Sequence, residues 1–304
     1  MQADTRSTTR GYTIALVGIA LWSTTAVFIR YLSEQYHLPP LVLAFWRDLF
    51  VTLSLALGLG LVRRSLLAPA GLRRHLPFLL LYGLVLAVFN ALWTTSVSLN
   101  GAAVSTVLAY SAPAFTALLG WRLFRERLNA AKIGAVVLCI AGCVLVAGAY
   151  DLAAWQVNPV GIAVGLVAGL AFAGYSLMGK AAAQRGLSAW TSMVYTFGFA
   201  TCFLLLLQRP ATILWLGPHL AGWGVLALLA VGPTVGGYGL YTLSLEYLPA
   251  SVASLLATLE PPLTALWAYL VLAERLTGVQ LIGTGVILAG VVLLRIGEIR
   301  PTAP

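Results

Sequence analysis

Apolar residues fill most of the chain in ten long runs that are separated by short polar breaks. Each run approaches the roughly 20 residues that an α-helix needs to cross about 30 Å of hydrocarbon. The pattern therefore predicts an all-α polytopic membrane protein with ten transmembrane helices. The predicted spans are residues 11–30, 40–62, 75–97, 102–122, 129–149, 158–181, 188–207, 219–245, 250–272 and 278–296.

The second half of the chain repeats the first half. After a shift of 148 residues, residues 90–147 align with 238–295, and 18 of the 58 positions are identical. A shuffled chain of this composition would give roughly a tenth. The match of Pro113 to Pro261 and the shared Glu-Arg-Leu tripeptide are more specific than the aliphatic matches. We therefore predict two repeats of five helices each, residues 1–150 and 151–304.

The two repeats are predicted to be inverted. Each contains an odd number of crossings, so the second enters the membrane from the side opposite to the first. Inverted repeats are a recurring architecture of secondary transporters. The two least distinct breaks between spans, at residues 98–101 and 246–249, fall at matching places of the two repeats, which supports both divisions.

The charge distribution predicts how the chain lies in the membrane. Only 9% of residues are charged and 60% are hydrophobic, whereas a soluble domain has about 25% charged residues. The net charge of +9 does not indicate nucleic-acid binding, because 14 of the 18 Lys and Arg residues fall on one side of the predicted spans. The positive-inside rule makes that side the cytoplasm. We predict a multi-pass protein of the plasma (inner) membrane with both termini cytoplasmic.

Residues 174–180 partly match a nucleotide-binding motif. Gly174, Gly179 and Lys180 fit G-x-x-x-x-G-K, but Ala181 follows where Ser or Thr is needed, and no strand precedes the run. We therefore predict no ATP site. His37 lies in a predicted loop, and His75 and His219 lie at the ends of predicted spans, so the spans offer no histidine cluster for a metal ion, and we predict no cofactor.

Prolines lie inside three of the predicted spans. Pro113, Pro233 and Pro261 each remove a helix hydrogen bond and free the carbonyl four residues earlier. A carbonyl freed in hydrocarbon needs a partner or a watery cavity. Because Pro113 and Pro261 match in the repeat, we expect two kinks related by pseudo-symmetry, either static or acting as hinges beside a binding site.

Ionisable residues inside the spans are candidates for function, since burying a charge there costs about 3 kcal/mol or more. Glu260 lies about eleven residues into its span, and burial favours its neutral acid form. We predict that it donates to a carbonyl freed by a proline, with substrate contact and proton coupling as alternatives. Arg47 and Asp48 point about 100° apart on a helix, so we expect no simple neutralisation and an Arg47 side chain that extends outward.

Aromatic and polar residues recur at mid-depth in several spans. Trp and Tyr usually belong to the interfacial belts, as Trp121 and Trp215 do, but a polar atom at mid-depth needs a partner. Together these residues predict a central pocket for a small amphipathic solute. The predicted substrate-binding residues are Trp22, Asn90, Trp93, Tyr110, Phe172, Tyr175, Tyr238 and Tyr241. Gating or structural roles are predicted for Pro113, Pro261, Glu260 and Arg47.

The repeated motif resembles a known family. Residues 250–294 contain Glu260-Pro261 within a span and a Glu-Arg-Leu turn at 274–276, and residues 102–147 contain a second copy with its turn at 126–128. These segments are similar to the EamA domain of the drug/metabolite transporter superfamily. The resemblance implies ten helices, cytoplasmic termini and a central cavity between inverted five-helix halves.

Two further positions extend this resemblance. Arg47 in Phe45-Trp46-Arg47 resembles the second-helix arginine of the family, and residues 21–34 are similar to the first helix of an amino-acid exporter of the superfamily. Ala112 stands at the position that matches Glu260, so any role of this acid exists in one repeat only.

Together these observations predict a secondary transporter that exports small amphipathic metabolites, with amino acids as the leading class, by alternating access. A drug or nucleoside exporter of the same fold is one alternative. A membrane enzyme or a lipid-handling assembly factor is an alternative of another class, although the spans show no catalytic cluster at one depth. The expected partners are a small-molecule substrate and membrane lipids, with the monomer and the homodimer both open.

Overall fold

The computed structural model describes residues 2–67, 71–126, 128–151, 159–272 and 277–299. Within these ranges the chain is helical and contains no β-strand. The second Glu-Arg-Leu tripeptide, at 274–276, lies outside them. The helices are α1 (Gln2–Trp22), α2 (Thr25–Tyr36), α3 (Pro40–Val62), α4 (Arg64–Leu67), α5 (Leu72–Ala109), α6 (Ala112–Phe124), α7 (Ala130–Val146), α8 (Pro159–Gln184), α9 (Ala189–Leu206), α10 (Leu220–Leu229), α11 (Gly239–Ser244), α12 (Ala250–Leu256), α13 (Glu260–Leu272) and α14 (Gly278–Ile299).

These helices cover the ten predicted spans. In the described part of the chain, seven helical stretches are long and apolar enough to cross a membrane. The other three spans are the shorter apolar helix α7, the end of α5 together with α6, and α12 together with α13. The predicted all-α polytopic fold is confirmed.

A sharp bend divides α5 between the third and fourth spans. The Ser96 hydroxyl lies 2.9 Å from that of Ser105. In a straight helix, residues nine apart would be separated by about 13.5 Å along the axis, beyond the reach of two serine side chains. The chain therefore turns back between these serines, as the division at 98–101 predicts.

The matched prolines coincide with helix breaks. α5 ends at Ala109 and α6 begins at Ala112, directly before Pro113. In the second repeat a 3₁₀ turn, Ala257–Leu259, separates α12 from α13, directly before Pro261. Both expected kinks are present, although their local geometry differs.

A third break surrounds Pro233, where the π-helical segment Ala230–Tyr238 joins α10 to α11. The Thr234 hydroxyl donates to the carbonyl of Leu229 at 2.9 Å. This is the carbonyl that the proline ring deprives of its usual donor. A neighbouring side chain therefore satisfies the freed group within the membrane.

Equivalent glycines pack α7 against α14. A Cβ atom added to Gly142 would lie 2.5 Å from Ile287 Cγ1, and one added to Gly290 would lie 2.7 Å from Cys139 Sγ. The repeat shift of 148 maps Gly142 onto Gly290 and Cys139 onto Ile287. The two contacts are therefore reciprocal, as expected for helices on either side of a two-fold axis. Small residues allow this close approach where no hydrophobic effect drives helix association.

Glycines also allow helix α8 to pack closely against the end of α5, next to the break before Pro113. A Cβ atom added to Gly165 would lie 2.7 Å from Leu108 Cδ1, and one added to Gly169 would lie 2.9 Å from the Leu108 carbonyl. Residues 174–180, which imitate a phosphate-binding loop, are helical throughout. Lys180 Nζ donates to the Leu245 carbonyl at 2.9 Å, so this lysine links α8 to the end of α11.

Candidate functional site

A cavity of about 100 Å³ lies among the helix breaks. Aromatic rings form much of its wall, with one guanidinium, one carboxylic acid, an amide and three hydroxyl groups between them. The lining residues are Trp22, Thr25, Ile29, Arg47, Phe89, Asn90, Trp93, Ala109, Tyr110, Phe172, Tyr238 and Glu260.

Each of the four interrupted spans contributes a lining residue at its interruption. In the first span, Trp22 ends α1 and Thr25 begins α2. In the fourth, Tyr110 follows the last residue of α5. Tyr238 ends the π-helical segment of the eighth span, and Glu260 begins α13 in the ninth. Interrupted helices that meet at a central site are a common arrangement in secondary transporters.

Six of the eight predicted substrate-binding residues line this cavity, namely Trp22, Asn90, Trp93, Tyr110, Phe172 and Tyr238. Tyr175 and Tyr241 lie behind the wall. Tyr175 Oη is 3.1 Å from Thr242 Oγ1, and Tyr241 Oη is 2.6 Å from Ser176 Oγ. Both tyrosine rings contact Phe172 and thus support a residue of the wall.

The aromatic wall is a connected set of rings. Trp22 lies at the centre, with ring centroids 4.4 Å from Tyr238 and 5.7 Å from Phe172. Phe89 contacts Phe172 from α5 at 5.2 Å. Aromatic pairs at such separations stabilise one another by about 0.5–1.5 kcal/mol beyond the burial of their surface. The wall therefore joins elements from both repeats in one fixed surface.

Arg47, Asp48 and Asn90 form a closed buried network. Arg47 Nε and Nη2 donate to Asp48 Oδ1 at 3.1 and 3.0 Å, and Nη2 also donates to Asn90 Oδ1 at 3.1 Å. Asn90 Nδ2 donates to Asp48 Oδ2 at 2.9 Å. The expectations that Arg47 extends outward and leaves Asp48 unneutralised are both wrong. The long arginine side chain folds back beside its neighbour, and Asn90 from α5 holds both groups.

Glu260 is paired across the cavity wall with Tyr110. The Tyr110 hydroxyl donates to Glu260 Oε2 at 2.5 Å, which joins α13 to the break between α5 and α6. We expected Glu260 to donate to a carbonyl freed by a proline. In the structure, Glu260 Oε2 instead accepts from Tyr110. The carbonyl of Ala257, which Pro261 frees, instead accepts the backbone N–H of Glu260 through the 3₁₀ turn.

The sequence interpretation missed Thr25. This residue is 8% exposed, and its hydroxyl has no hydrogen-bond partner among the described residues, although it lines the cavity. Its neighbours are satisfied locally, since the hydroxyls of Ser23 and Thr24 donate to the carbonyls of Ala20 and Leu21. The run of three hydroxyl residues at mid-span was the available signal, but the pattern alone does not show which one faces the cavity.

The family follows from comparison with known proteins. The model of the EamA-like transporter family matches the chain twice, over residues 9–148 and 159–296. The chain belongs to this family. Its members are transporters, as the resemblance of the repeated motif indicates.

Curated proteins similar to this EamA-like transporter are named as transporters or exporters. The chain is 30% identical to the uncharacterized transporter YwfM of Bacillus subtilis (strain 168), over 72% of this chain and 73% of that protein. It is 29% identical to the threonine/homoserine exporter RhtA of Escherichia coli (strain K12), over 78% of each chain. A solved crystal structure matches 97% of this chain and 100% of its own with a TM-score of 0.74 at 19% identity, which shows the fold.

Glu126, the first residue of the first Glu-Arg-Leu motif in this EamA-like transporter, binds the start of α12. Glu126 Oε1 accepts the backbone N–H of Ala250 at 2.8 Å, and Oε2 accepts that of Ser251 at 3.2 Å. Lys132 Nζ donates to the Ser251 hydroxyl at 3.1 Å. A carboxylate at a helix N-terminus satisfies free N–H groups and the helix dipole. This acid therefore ties the first repeat to the start of α12 in the second.

Proposed function

We propose that this chain is a secondary transporter that exports small amphipathic metabolites, with amino acids as the leading class, across the plasma membrane by alternating access. The observation that carries the proposal is the cavity at which four interrupted spans meet. Half-helices on either side of such breaks can move relative to each other, and the polar backbone at the breaks lines the site instead of facing lipid.

The size of the cavity favours a small solute. Sites for drug-sized ligands have volumes of about 300–1,000 Å³, whereas this cavity has about 100 Å³. Its wall combines aromatic rings with hydroxyl, amide and charged groups, which suits a solute with an apolar part and a polar part. Amino acids combine both parts in a small volume. The name of the relative RhtA, a threonine/homoserine exporter, supports the same class.

The proposal includes an orientation and a division of the chain. Both termini lie in the cytoplasm, and residues 1–150 and 151–304 are the two halves that change their relation during transport.

Counterflow into proteoliposomes tests the proposal. Purified protein is reconstituted into vesicles loaded with unlabelled solute, and uptake of radiolabelled amino acids, nucleosides and cationic drugs is compared. We expect exchange of amino acids without ATP. Exchange of nucleosides or drugs alone would overturn the substrate class. A folded protein that exchanges no solute would overturn the transporter and would favour a lipid-handling factor.

A matched pair of aromatic substitutions locates the site in the same assay. Phe172→Ala removes a ring from the cavity wall, and we expect weaker apparent substrate affinity. Trp121→Ala removes a ring that is 50% exposed on the outside of the bundle, and we expect unchanged affinity. The reverse result would place the site elsewhere.

A further inference from the structure

The cavity contains a cationic group and an acidic group that are held apart. Arg47 and Glu260 both line it, yet no ion pair within 4.0 Å joins them in the described part of the chain. Each is fixed by partners of its own, Arg47 by Asp48 and Asn90, and Glu260 by Tyr110. The cavity therefore has a cationic pole at Arg47 and an acidic pole at Glu260.

The Arg47 pole retains a free donor. Nε and Nη2 of the guanidinium bond to Asp48 and Asn90, whereas Nη1 has no hydrogen-bond partner among the residues that the structure describes. Guanidinium groups match the geometry of carboxylates and remain charged at physiological pH. The network fixes the arginine and leaves one nitrogen to meet an anionic group.

The Glu260 pole combines an acid with aromatic faces. Glu260 Oε2 accepts from Tyr110, and the rings of Trp22, Phe172 and Tyr238 line the same cavity. Carboxylates and aromatic faces both attract an ammonium group. Tyr238 lines the same cavity as Arg47 and Glu260.

Thr25 provides an independent sign that a ligand completes the site. A buried hydroxyl without a partner destabilises the folded state, and more than nine-tenths of this residue is buried. Thr25 lines a cavity that is also polar through Arg47 and Asn90. A polar group of the solute can satisfy it.

We propose that the cavity recognises the zwitterionic head group of an α-amino acid, with the carboxylate at Arg47, the ammonium at Glu260 and a hydrogen bond to Thr25. This inference rests on the proposed function and names the chemistry by which its substrate is selected. A lone anion would meet Asp48 beside Arg47, and a lone cation would leave Arg47 Nη1 without a partner. A zwitterion satisfies both poles together.

The test uses three forms of one solute. The common L-amino acids and L-homoserine are first ranked by counterflow in proteoliposomes. The best substrate is then compared as a competitor with its methyl ester, which lacks the carboxylate charge, and with its N-acetyl derivative, which lacks the ammonium charge. We expect each derivative to need at least about a tenfold higher concentration for half-inhibition, since a hydrogen bond to a charged group corresponds to about 10-fold to 100-fold in affinity.

Two variants assign the groups. Thr25→Val removes the hydroxyl and keeps the shape, and we expect about tenfold weaker competition by the parent amino acid. Thr24→Val is the matched control, because its hydroxyl bonds within its own helix turn and does not line the cavity. In Glu260→Gln, we expect the difference between the parent and its N-acetyl derivative to disappear while the ester still competes poorly.

The outcomes separate this inference from the proposed function. Amino-acid exchange in which all three solute forms compete equally overturns zwitterion recognition and leaves the amino-acid exporter standing. Absence of amino-acid exchange in protein that exchanges nucleosides or drugs overturns both. Melting temperature and size-exclusion profile show whether each variant is folded. If Glu260→Gln fails to fold, equal affinity of Thr25→Val and Thr24→Val for the parent solute is sufficient to overturn the proposed role of Thr25.

Discussion

Cys139 and Ile287 occupy equivalent positions of the two repeats and contact each other, with Cys139 Sγ 3.8 Å from the Ile287 carbonyl oxygen. They are separated by 148 residues, the shift that aligns the repeats. A residue can contact its own equivalent only beside the axis that relates the two copies. The pseudo-two-fold axis therefore passes between α7 and α14.

This contact predicts a specific crosslink. In a chain with Cys143→Ala and Cys202→Ala, Ile287→Cys should form a disulfide with the native Cys139 on mild oxidation, because Cys139 Sγ already contacts the backbone of residue 287 and disulfides form between closely spaced residues. The neighbouring Leu288 is 49% exposed, so Leu288→Cys should remain a free thiol. Mass spectrometry after alkylation and proteolysis distinguishes the two. Two free thiols in the Ile287→Cys protein would contradict this position of the axis.

The glycines beside the axis should be sensitive to the smallest side chain. Gly142→Ala places a Cβ atom 2.5 Å from Ile287 Cγ1 and 2.8 Å from the Gly283 carbonyl oxygen. We expect a loss of about 1–3 kcal/mol in unfolding free energy from overpacking. Gly285 lies on the same helix as Ile287, and no heavy atom lies within 4 Å of its added Cβ. Gly285→Ala should therefore leave the thermal stability in detergent equal or higher.

Periodic features of the molecule could be predicted from the sequence, and pairings between distant side chains could not. The length of each apolar run predicts a span. The missing backbone N–H of proline predicts the helix breaks before Pro113 and Pro261. The pairing of Tyr110 with Glu260 joins residues 150 apart that are not equivalent in the repeat, so no pattern indicates it. The orphan hydroxyl of Thr25 becomes evident only when its surroundings are known.

The Arg47 network shows a different limit of sequence reasoning. Helix geometry places adjacent Cβ atoms about 100° apart, and this led to the wrong expectation for Arg47 and Asp48. The flexible arginine stem compensates for that angle. Asn90 bonds both residues from another helix and thereby selects the paired conformation.

Removing the acid of this network should destabilise the protein strongly. Asp48→Asn leaves the Arg47 cation buried without its counter-charge, and breaking a buried pair in this way costs about 3–5 kcal/mol. The double variant Arg47→Met, Asp48→Leu removes both charges and should recover much of that loss. Thermal unfolding in detergent measures both. Equal melting temperatures for wild type and Asp48→Asn would show that the ion pair does not stabilise the fold.

The proposed orientation can be tested with single cysteines in a cysteine-free chain. Asp151 and Arg185 are both exposed, the first between the repeats and the second after α8. We expect an impermeant thiol reagent added outside intact cells to label Asp151→Cys and not Arg185→Cys. Permeabilised cells, in which both positions should react, provide the control. Labelling of both from outside would contradict the inverted arrangement of the two halves.

The two repeats share a sequence pattern but differ in local backbone structure. The first copy breaks at a two-residue turn before Pro113, whereas the second has a 3₁₀ turn before Pro261 and a π-helical segment at Ala230–Tyr238. If each copy adopts the shape of the other, the pseudo-two-fold axis turns the present molecule into its opposite-facing form. Both forms would then share the reciprocal glycine contacts beside the axis. Contacts that both forms share would let a carrier pass between them by thermal motion.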